Sequence, residues 1–156
     1  MHTFFRYISL CLLCGILIGC SSYKPQYGNF TEGTPAYNQT MALDAADEIA
    51  RYYPPAQTTF ILQEPVQDEF GHLFISMLRE KGFAIKDVNS MQNSDPIVAN
   101  TLALAYTVDS FSETSEGQFY VFLYVENDRF ARLYQAGAGQ LTPLGVWTKR
   151  GNDGEA

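Results

Sequence analysis

The first twenty residues set the strongest limit on what the rest of the chain can fold into. One cation, Arg6, precedes an uncharged apolar run from Ile8 to Ile18, and a cysteine follows at Cys20. The run holds about eleven residues, whereas a helix that spans a bilayer needs roughly 20. A short apolar core behind a positive charge is typical of a secretory signal, so residues 1–19 are predicted to be a signal peptide.

The end of this segment indicates the type of signal. Leu17-Ile18-Gly19-Cys20 has a branched apolar residue three positions before the cysteine and a small residue directly before it, which matches the lipobox of bacterial lipoproteins. The Cys20 thiol would take up a diacylglyceryl group, and cleavage before it would free an amine for another acyl chain. Ser21 in the next position favours the outer membrane, on its periplasmic face. An ordinary signal peptide with a chance cysteine, or an uncleaved helix, is the alternative.

The mature chain would hold 137 of the 156 residues, which is enough for one domain with a modest core. Cys11 and Cys14 would leave with the signal, so no disulfide and no cysteine-based metal site can form within the mature chain. It would keep 17 acidic residues and nine of the ten basic ones, a net charge of about −8. This balance argues against direct binding of nucleic acid, which relies on clustered Lys and Arg.

Three segments are predicted in the mature chain. Residues 20–38, with the lipidated cysteine, are polar, interrupted by Gly and Pro, and lack an apolar period, which favours a flexible tether. The tyrosines and Phe30 in this segment leave open whether it is an inert linker or folds onto a partner. Residues 39–150 are predicted to form a single periplasmic domain, and residues 151–156 a frayed tail.

Within that domain the apolar periods predict two helices, and Thr40 is the expected N-cap of the first. The predicted helices span 39–53 and 67–81, and the predicted strands span 58–63, 83–88, 102–111, 119–125, 130–134 and, as a short edge strand broken by Pro143, 139–148. Asn127-Asp128 is a two-residue hairpin signal. The fold class is therefore α+β: a small mixed sheet with a βαβ unit followed by an antiparallel meander, two helices, and a preceding tether.

The residues show no catalytic constellation, and we expect no enzyme activity and no cofactor. His72, the single histidine of the mature chain, could act as a general base, but a packing or surface role on the second helix is the simpler interpretation. A cell-wall hydrolase would need two carboxylates facing one cleft, such as Glu64 and Glu69.

No metal site is expected either. Asp109, Glu113 and Glu116 cluster near one turn and could hold calcium, yet the EF-hand spacing is absent and a solvated loop is the simpler interpretation. Gly137-Ala138-Gly139 lacks a following helix, so it is predicted to be a turn and not a phosphate cradle.

The C-terminal Trp147, Lys149 and Arg150 are the candidate interaction residues, because Trp and Arg are enriched at interface hot spots. The alternative is that Trp147 simply covers the sheet.

The chain also resembles the TrbH family of conjugal-transfer lipoproteins over nearly all of its mature length. The matching positions are the lipobox Cys20, Tyr53-Pro54-Pro55-Ala56, Asp68-x-Phe70-Gly71, Leu78-Arg79-x-x-Gly82-Phe83-Ala84, Leu104-Ala105-Tyr106-x-Val108-Asp109, Arg132-x-Tyr134 and Pro143-x-Gly145-x-Trp147-Thr148. Leu133 departs from the small residue that the family has there. The resemblance implies an outer-membrane lipoprotein of a type IV secretion apparatus, similar in role to DotD-type lipoproteins with their secretin-like periplasmic domain.

Two main functions follow as hypotheses. The first is a structural or assembly subunit whose partners are the membrane, through acyl chains on Cys20, and other subunits of the apparatus, with no small-molecule substrate. The second is a free-standing periplasmic lipoprotein that binds a ligand or protein, such as an envelope-stress or exclusion factor.

Overall fold

The computed structural model describes residues 26–31, 35–87, 100–111 and 117–151. The elements are β1 (Gly28–Asn29), α1 (Pro35–Tyr52), a 3-10 turn (Pro55–Gln57), β2 (Thr59–Leu62), α2 (Glu69–Glu80), β3 (Ala84–Lys86), β4 (Thr101–Ser110), β5 (Gln118–Val125), β6 (Asp128–Gly137) and β7 (Gln140–Arg150). Neither described helix has the length and apolar character needed to cross a membrane.

The strands form one mixed sheet in the order β3-β2-β4-β5-β6-β7, with β1 paired to β4 beyond the end of β2. β2, α2 and β3 form the predicted βαβ unit, because β2 and β3 are parallel neighbours. β4 to β7 form the predicted antiparallel meander. The α+β fold class is confirmed.

Both helices pack on the same face of the sheet and enclose the core. Burial alternates along β5, where Phe119, Val121, Leu123 and Val125 are buried beneath the helices. This alternation is the signature of a sheet covered on one face. β5 lies between β4 and β6, and its opposite side carries half-buried side chains, so its second face is only partly covered.

α2 spans Glu69–Glu80 and lies within the predicted range 67–81. The Asp68 carboxylate accepts a hydrogen bond from the Gly71 N–H (2.8 Å), which makes Asp68 the N-cap. Gly82 has a φ of +94° and closes the helix with an N–H to the Arg79 carbonyl (2.9 Å).

α1 begins four residues earlier than predicted. Thr40 therefore lies inside the helix and not at its N-cap, and its hydroxyl donates to the Ala36 carbonyl (3.0 Å). Helix formation extends to Pro35 because Tyr37 is buried against Phe119, with ring centroids 5.6 Å apart.

The folded part of the chain also begins before residue 38, where the tether was predicted to end. Gly28 and Asn29 pair with Thr107 and Val108 of β4. The Phe30 N–H donates to the Val108 carbonyl (2.8 Å). The predicted boundary at residue 38 is thus too late, while residues 20–25 and 32–34 lie outside the described residues.

Two details of the meander differ from the prediction. The β5–β6 loop is Glu126-Asn127, one residue earlier than expected, because Val125 already pairs with Asp128. β7 is not short: it runs over eleven residues and includes Pro143, which pairs with Tyr134, although its register with β6 shifts between Leu144 and Thr148. An edge strand tolerates a proline, and among the described residues no strand pairs with the other side of β7.

Candidate functional site

Asp44, on α1, joins the helix layer to the end of the sheet. Its carboxylate accepts hydrogen bonds from Arg132 Nη1 (2.8 and 2.9 Å), the Tyr134 hydroxyl (2.7 Å) and Trp147 Nε1 (3.1 Å). Arg132 Nη2 donates to the Gly145 carbonyl (2.9 Å), at a residue with a φ of +66°. We call Asp44, Arg132, Tyr134 and Trp147 the Asp44 cluster. It ties α1, β6 and β7 together.

Solvent reaches this cluster only in part. The side chains of Asp44 and Arg132 are 25% and 17% exposed, and Tyr134 is fully buried. Burial, and then the hydrogen bond to Asp44, raise the pKa of the Tyr134 phenol well above its usual range. The phenol therefore stays a hydrogen-bond donor at physiological pH, and the arrangement suits a structural tie.

A second set of polar contacts surrounds Asp68 at the start of α2. While one carboxylate oxygen caps the helix, the other accepts from the Tyr106 hydroxyl (2.6 Å) and the Asn29 N–H (3.3 Å). Burial and the bond to Asp68 raise the pKa of Tyr106. Asp68 thus connects β1, α2 and β4.

Two asparagines extend this network to α1. Asn29 Nδ2 donates to Asn38 Oδ1 (3.0 Å), and Asn38 Nδ2 donates to Glu69 Oε2 (2.9 Å). Asn38 is buried, so both of these bonds matter, because an unpaired buried amide is costly. The short strand β1 is fixed to both helices in this way.

We expect Gly71→Ala to destabilise the domain by about 1–3 kcal/mol, since a Cβ at this position would lie 1.9 Å from the Tyr106 hydroxyl oxygen and 2.7 Å from a Val66 methyl. Urea unfolding measures the change. Gly137→Ala is the matched control, because no atom lies within 4 Å of a Cβ built there. Equal stability of the two variants would contradict the close approach of Tyr106 to α2.

A third tie involves Asp128 at the start of β6. Its carboxylate accepts from the Tyr53 hydroxyl (2.8 Å) and pairs with Lys149 Nζ (3.0 Å). Lys149 also lies over the Tyr52 and Phe130 rings, at 5.4 and 6.0 Å from their centroids. Burial, and then the hydrogen bond to Asp128, raise the pKa of Tyr53.

The candidate interaction residues are only partly available to a partner. Trp147 is half-buried and donates to Asp44, and Lys149 is paired with Asp128, so both have contacts within the domain. Arg150 is exposed on β7, where it is the register partner of Arg129. An interface role for these three residues stays a prediction.

The candidate catalytic residues lie apart in the fold. Glu64 lines a cleft of about 580 Å³ beside β1, whereas the Glu69 carboxylate is bound to Asn38 and does not line it. His72 is exposed on α2 and lines a different cleft of about 470 Å³. Glu69 is therefore not placed in the cleft that Glu64 lines. The second carboxylate that lines this cleft is Asp68, which caps α2 and accepts from Tyr106.

The residues of the predicted calcium site, turn and lipid anchor differ in whether the structure describes them. The Asp109 carboxylate accepts from the Tyr120 hydroxyl (3.0 Å), while Glu113 and Glu116 lie outside the described residues. Within the described ranges, no three His, Cys, Asp or Glu side chains are placed to hold a metal ion. Ala138 and Gly139 form the predicted turn, both with positive φ. Cys20 lies outside the described residues.

Asp44 was not predicted to have a structural role of this kind, because only its place near the N-terminus of a helix is visible in the sequence. Its partners come from positions that the family resemblance singles out, namely Arg132-x-Tyr134 and Gly145-x-Trp147. Asp68, Gly71 and Tyr106 of the second network belong to the same matching positions.

One comparison with known proteins gives a match. A family model described as "Conjugal transfer protein TrbH" matches residues 24–151, which is most of the chain. No curated protein and no solved structure matches it.

Proposed function

Since the chain belongs to the TrbH family of conjugal transfer proteins, we propose that it is a structural lipoprotein subunit of a conjugal-transfer type IV secretion apparatus. Acyl chains on Cys20 hold it in the outer membrane, and the domain faces the periplasm. Its partners are other subunits of the apparatus. The role is assembly and not catalysis.

The observation that supports this proposal most is that the polar residues at the matching family positions bind one another. Arg132, Tyr134 and Trp147 all bind one carboxylate, and Asp68 and Tyr106 bind each other. These side chains connect secondary-structure elements of the domain to one another. Residues used in this way preserve the shape of a domain, which is what a subunit of a larger assembly has to present to its neighbours.

The edge strand β7 offers a surface for such neighbours. Among the strands that the structure describes it lies at the end of the sheet, and it is eleven residues long, so one side of its backbone can pair with another strand. Val146 is 79% exposed and Leu144 is 38% exposed on this strand. We infer that an adjacent subunit contacts the β7 edge near Val146.

We expect a photo-crosslinking amino acid in place of Val146 to capture a transfer-apparatus subunit in cells that carry the complete transfer system. The same substitution at Ser76, which is exposed on α2, is the matched control. The membranes are solubilised in a mild detergent, and the protein is purified through an affinity tag placed after Ala156. The crosslinked products are then sized and identified by mass spectrometry. Crosslinks at Val146 but not at Ser76 locate the interface on β7.

Other outcomes have distinct meanings. A large complex without a Val146 crosslink would retain the assembly role and reject the β7 interface. Elution of the protein alone in its micelle would contradict the assembly role and favour the free-standing binding lipoprotein. Transfer at wild-type frequency after deletion of the gene would contradict any role in transfer. Incorporation of labelled palmitate, lost in Cys20→Ser, tests the anchor independently.

A further inference from the structure

The face of the sheet opposite the helices is lined by a row of aromatic rings. We call it the outer face, and its aromatic residues are Tyr27, Phe111, Tyr120, Phe122 and Tyr124. Neighbouring rings along the row have centroids 5.0 to 6.3 Å apart. Such a continuous row differs from scattered surface aromatics, which need no explanation.

The outer face is uncovered in the described part of the chain. Phe111 is 68% exposed, and the three aromatic side chains of β5 are only half-buried. Leu133 and Leu144 are register partners on the same face and are 40% and 38% exposed. Contiguous exposed apolar surface of this kind marks sites where a protein binds another protein or a membrane.

Two arginines border the aromatic row. Arg129 lies over the Tyr124 ring at 5.1 Å, and Arg150 is its register partner on β7. Within residues 26–31, 35–87, 100–111 and 117–151, no carboxylate forms a salt bridge with either of them. Like charges placed directly opposite each other on a sheet repel, so an anion bound between them would be stabilising.

The helix layer has the opposite charge balance. Its acidic residues outnumber its two arginines, Arg51 and Arg79. The acidic residues of the two helices are Asp44, Asp47, Glu48, Glu69 and Glu80. A negatively charged surface would therefore repel the helix layer and attract the arginine-bearing end of the outer face.

The position of the N-terminal segment shows what lies close to the outer face. The Thr107 hydroxyl, on β4, donates to the Gln26 carbonyl (3.2 Å), and the Tyr27 ring contacts Tyr124 with a centroid distance of 5.2 Å. The chain thus reaches the sheet on this face. Six residues join Cys20 to Gln26, and at about 3.3–3.6 Å per residue they span at most about 22 Å.

We propose that the outer face rests on the membrane surface, with its aromatic rings in the lipid headgroup region and Arg129 and Arg150 against lipid phosphates. This inference depends on the lipid anchor at Cys20 that is part of the proposed function. Tyrosine suits the interface because its ring is apolar and its hydroxyl is polar. When a segment of at most about 22 Å joins the anchor to Gln26, this face, and not the helix layer, lies nearest to the lipid.

The test uses the full mature lipoprotein, reconstituted in vesicles of phosphatidylethanolamine and phosphatidylglycerol. An environment-sensitive fluorophore is attached to Leu133→Cys on the outer face, or, if that variant folds poorly, to Thr142→Cys on the same face. Ser76→Cys on α2 is the matched control. We expect nitroxide groups on the lipid headgroups to quench the label on the outer face several-fold more strongly than the label at position 76.

Flotation with the vesicles separates this inference from the proposed anchor. Protein that fails to float would contradict the anchor at Cys20 and overturn both. Protein that floats but is quenched equally at the two positions, or at neither, would overturn the membrane contact alone. Protection of position 133 from an aqueous quencher without quenching by nitroxide lipids would mean that a protein covers the face, which also overturns it. Arg129→Glu combined with Arg150→Glu is expected to reduce the quenching.

Discussion

Replacing Asp44 by alanine is expected to lower the free energy of unfolding by about 3 kcal/mol. The change removes the only described carboxylate that pairs with the Arg132 guanidinium, and it leaves the hydroxyl of the fully buried Tyr134 without its acceptor. Leaving one member of a buried charge pair alone costs about 3–5 kcal/mol. The lower end applies because water still reaches about a fifth of both side chains in the pair, 25% of Asp44 and 17% of Arg132.

Asp47→Ala is the matched control, one turn further along α1. The Asp47 side chain is 55% exposed and pairs with Lys81 at the surface, so its loss should cost less than about 1 kcal/mol. Asp44→Asn keeps an acceptor without the charge and should fall between the two. Urea unfolding of a chain comprising residues 24–151 measures all three. Equal effects of the Asp44 and Asp47 substitutions would show that the cluster does not stabilise the domain.

Periodicity was sufficient to predict the central part of the fold. α2 has a strong apolar period, which predicts a helix, and in the structure Asp68 caps its start and Gly82 closes its end. The strands on either side of it alternate and are bounded by turns. Since every one of these signals lies within a few residues of its effect, a single sequence is enough to place the βαβ unit.

The N-terminal part of the domain could not be placed in the same way. β1 is two residues long, and its position depends on Asp68 and Asn38, which bind Asn29 from 39 and nine residues away. The segment has no apolar period, so it has the composition of a linker. Its order comes from contacts across the fold, and propensity within a short window does not record them.

The Asp44 cluster could not be predicted either, because it too depends on contacts between distant parts of the sequence. Its three donors lie 88 to 103 residues from the carboxylate that binds them. Trp147 is predicted to be an interaction residue because tryptophan is common at interfaces. A half-buried tryptophan whose indole donates to an acceptor within the domain has a different role, and the residue type alone does not distinguish the two. Only the sheet register, which brings β6 and β7 beneath α1, distinguishes these two possibilities.

The hydrogen bonds of three carboxylates determine which surfaces of the domain stay exposed. Asp44, Asp68 and Asp128 all bind their partners on or beside the helix layer. The helix layer is thereby fixed to the sheet, whereas in the described part of the chain no helix covers the outer face and no strand pairs with the far edge of β7. If the outer face rests on the lipid, the edge of β7 points parallel to the membrane surface. Neighbouring proteins on the same membrane would then contact this edge.

High pH is expected to unfold the domain steeply. Tyr53, Tyr106 and Tyr134 each donate to a carboxylate, and burial is the main cause that raises the pKa of each phenol. Above about pH 10 the unfolded chain loses these three protons while the folded chain keeps them. The free energy of unfolding then falls as pH rises, by about 1.4 kcal/mol per pH unit for each tyrosine, or about 4 kcal/mol per unit in total. Below pH 10 the three phenols contribute no such slope.

The neighbouring tyrosines of α1 provide a test of this origin. Tyr53→Phe removes one of the three titrating groups, so the slope above pH 10 should decrease by about a third. Tyr52→Phe is the matched control, because Tyr52 is 49% exposed and adjoins Tyr53 in the sequence. Urea unfolding across the alkaline range gives the slope, and ultraviolet absorbance of tyrosinate follows the ionisation. Ionisation of all the tyrosines before any loss of the folded circular dichroism signal would contradict the proposed coupling, because the buried phenols would then titrate within the native domain.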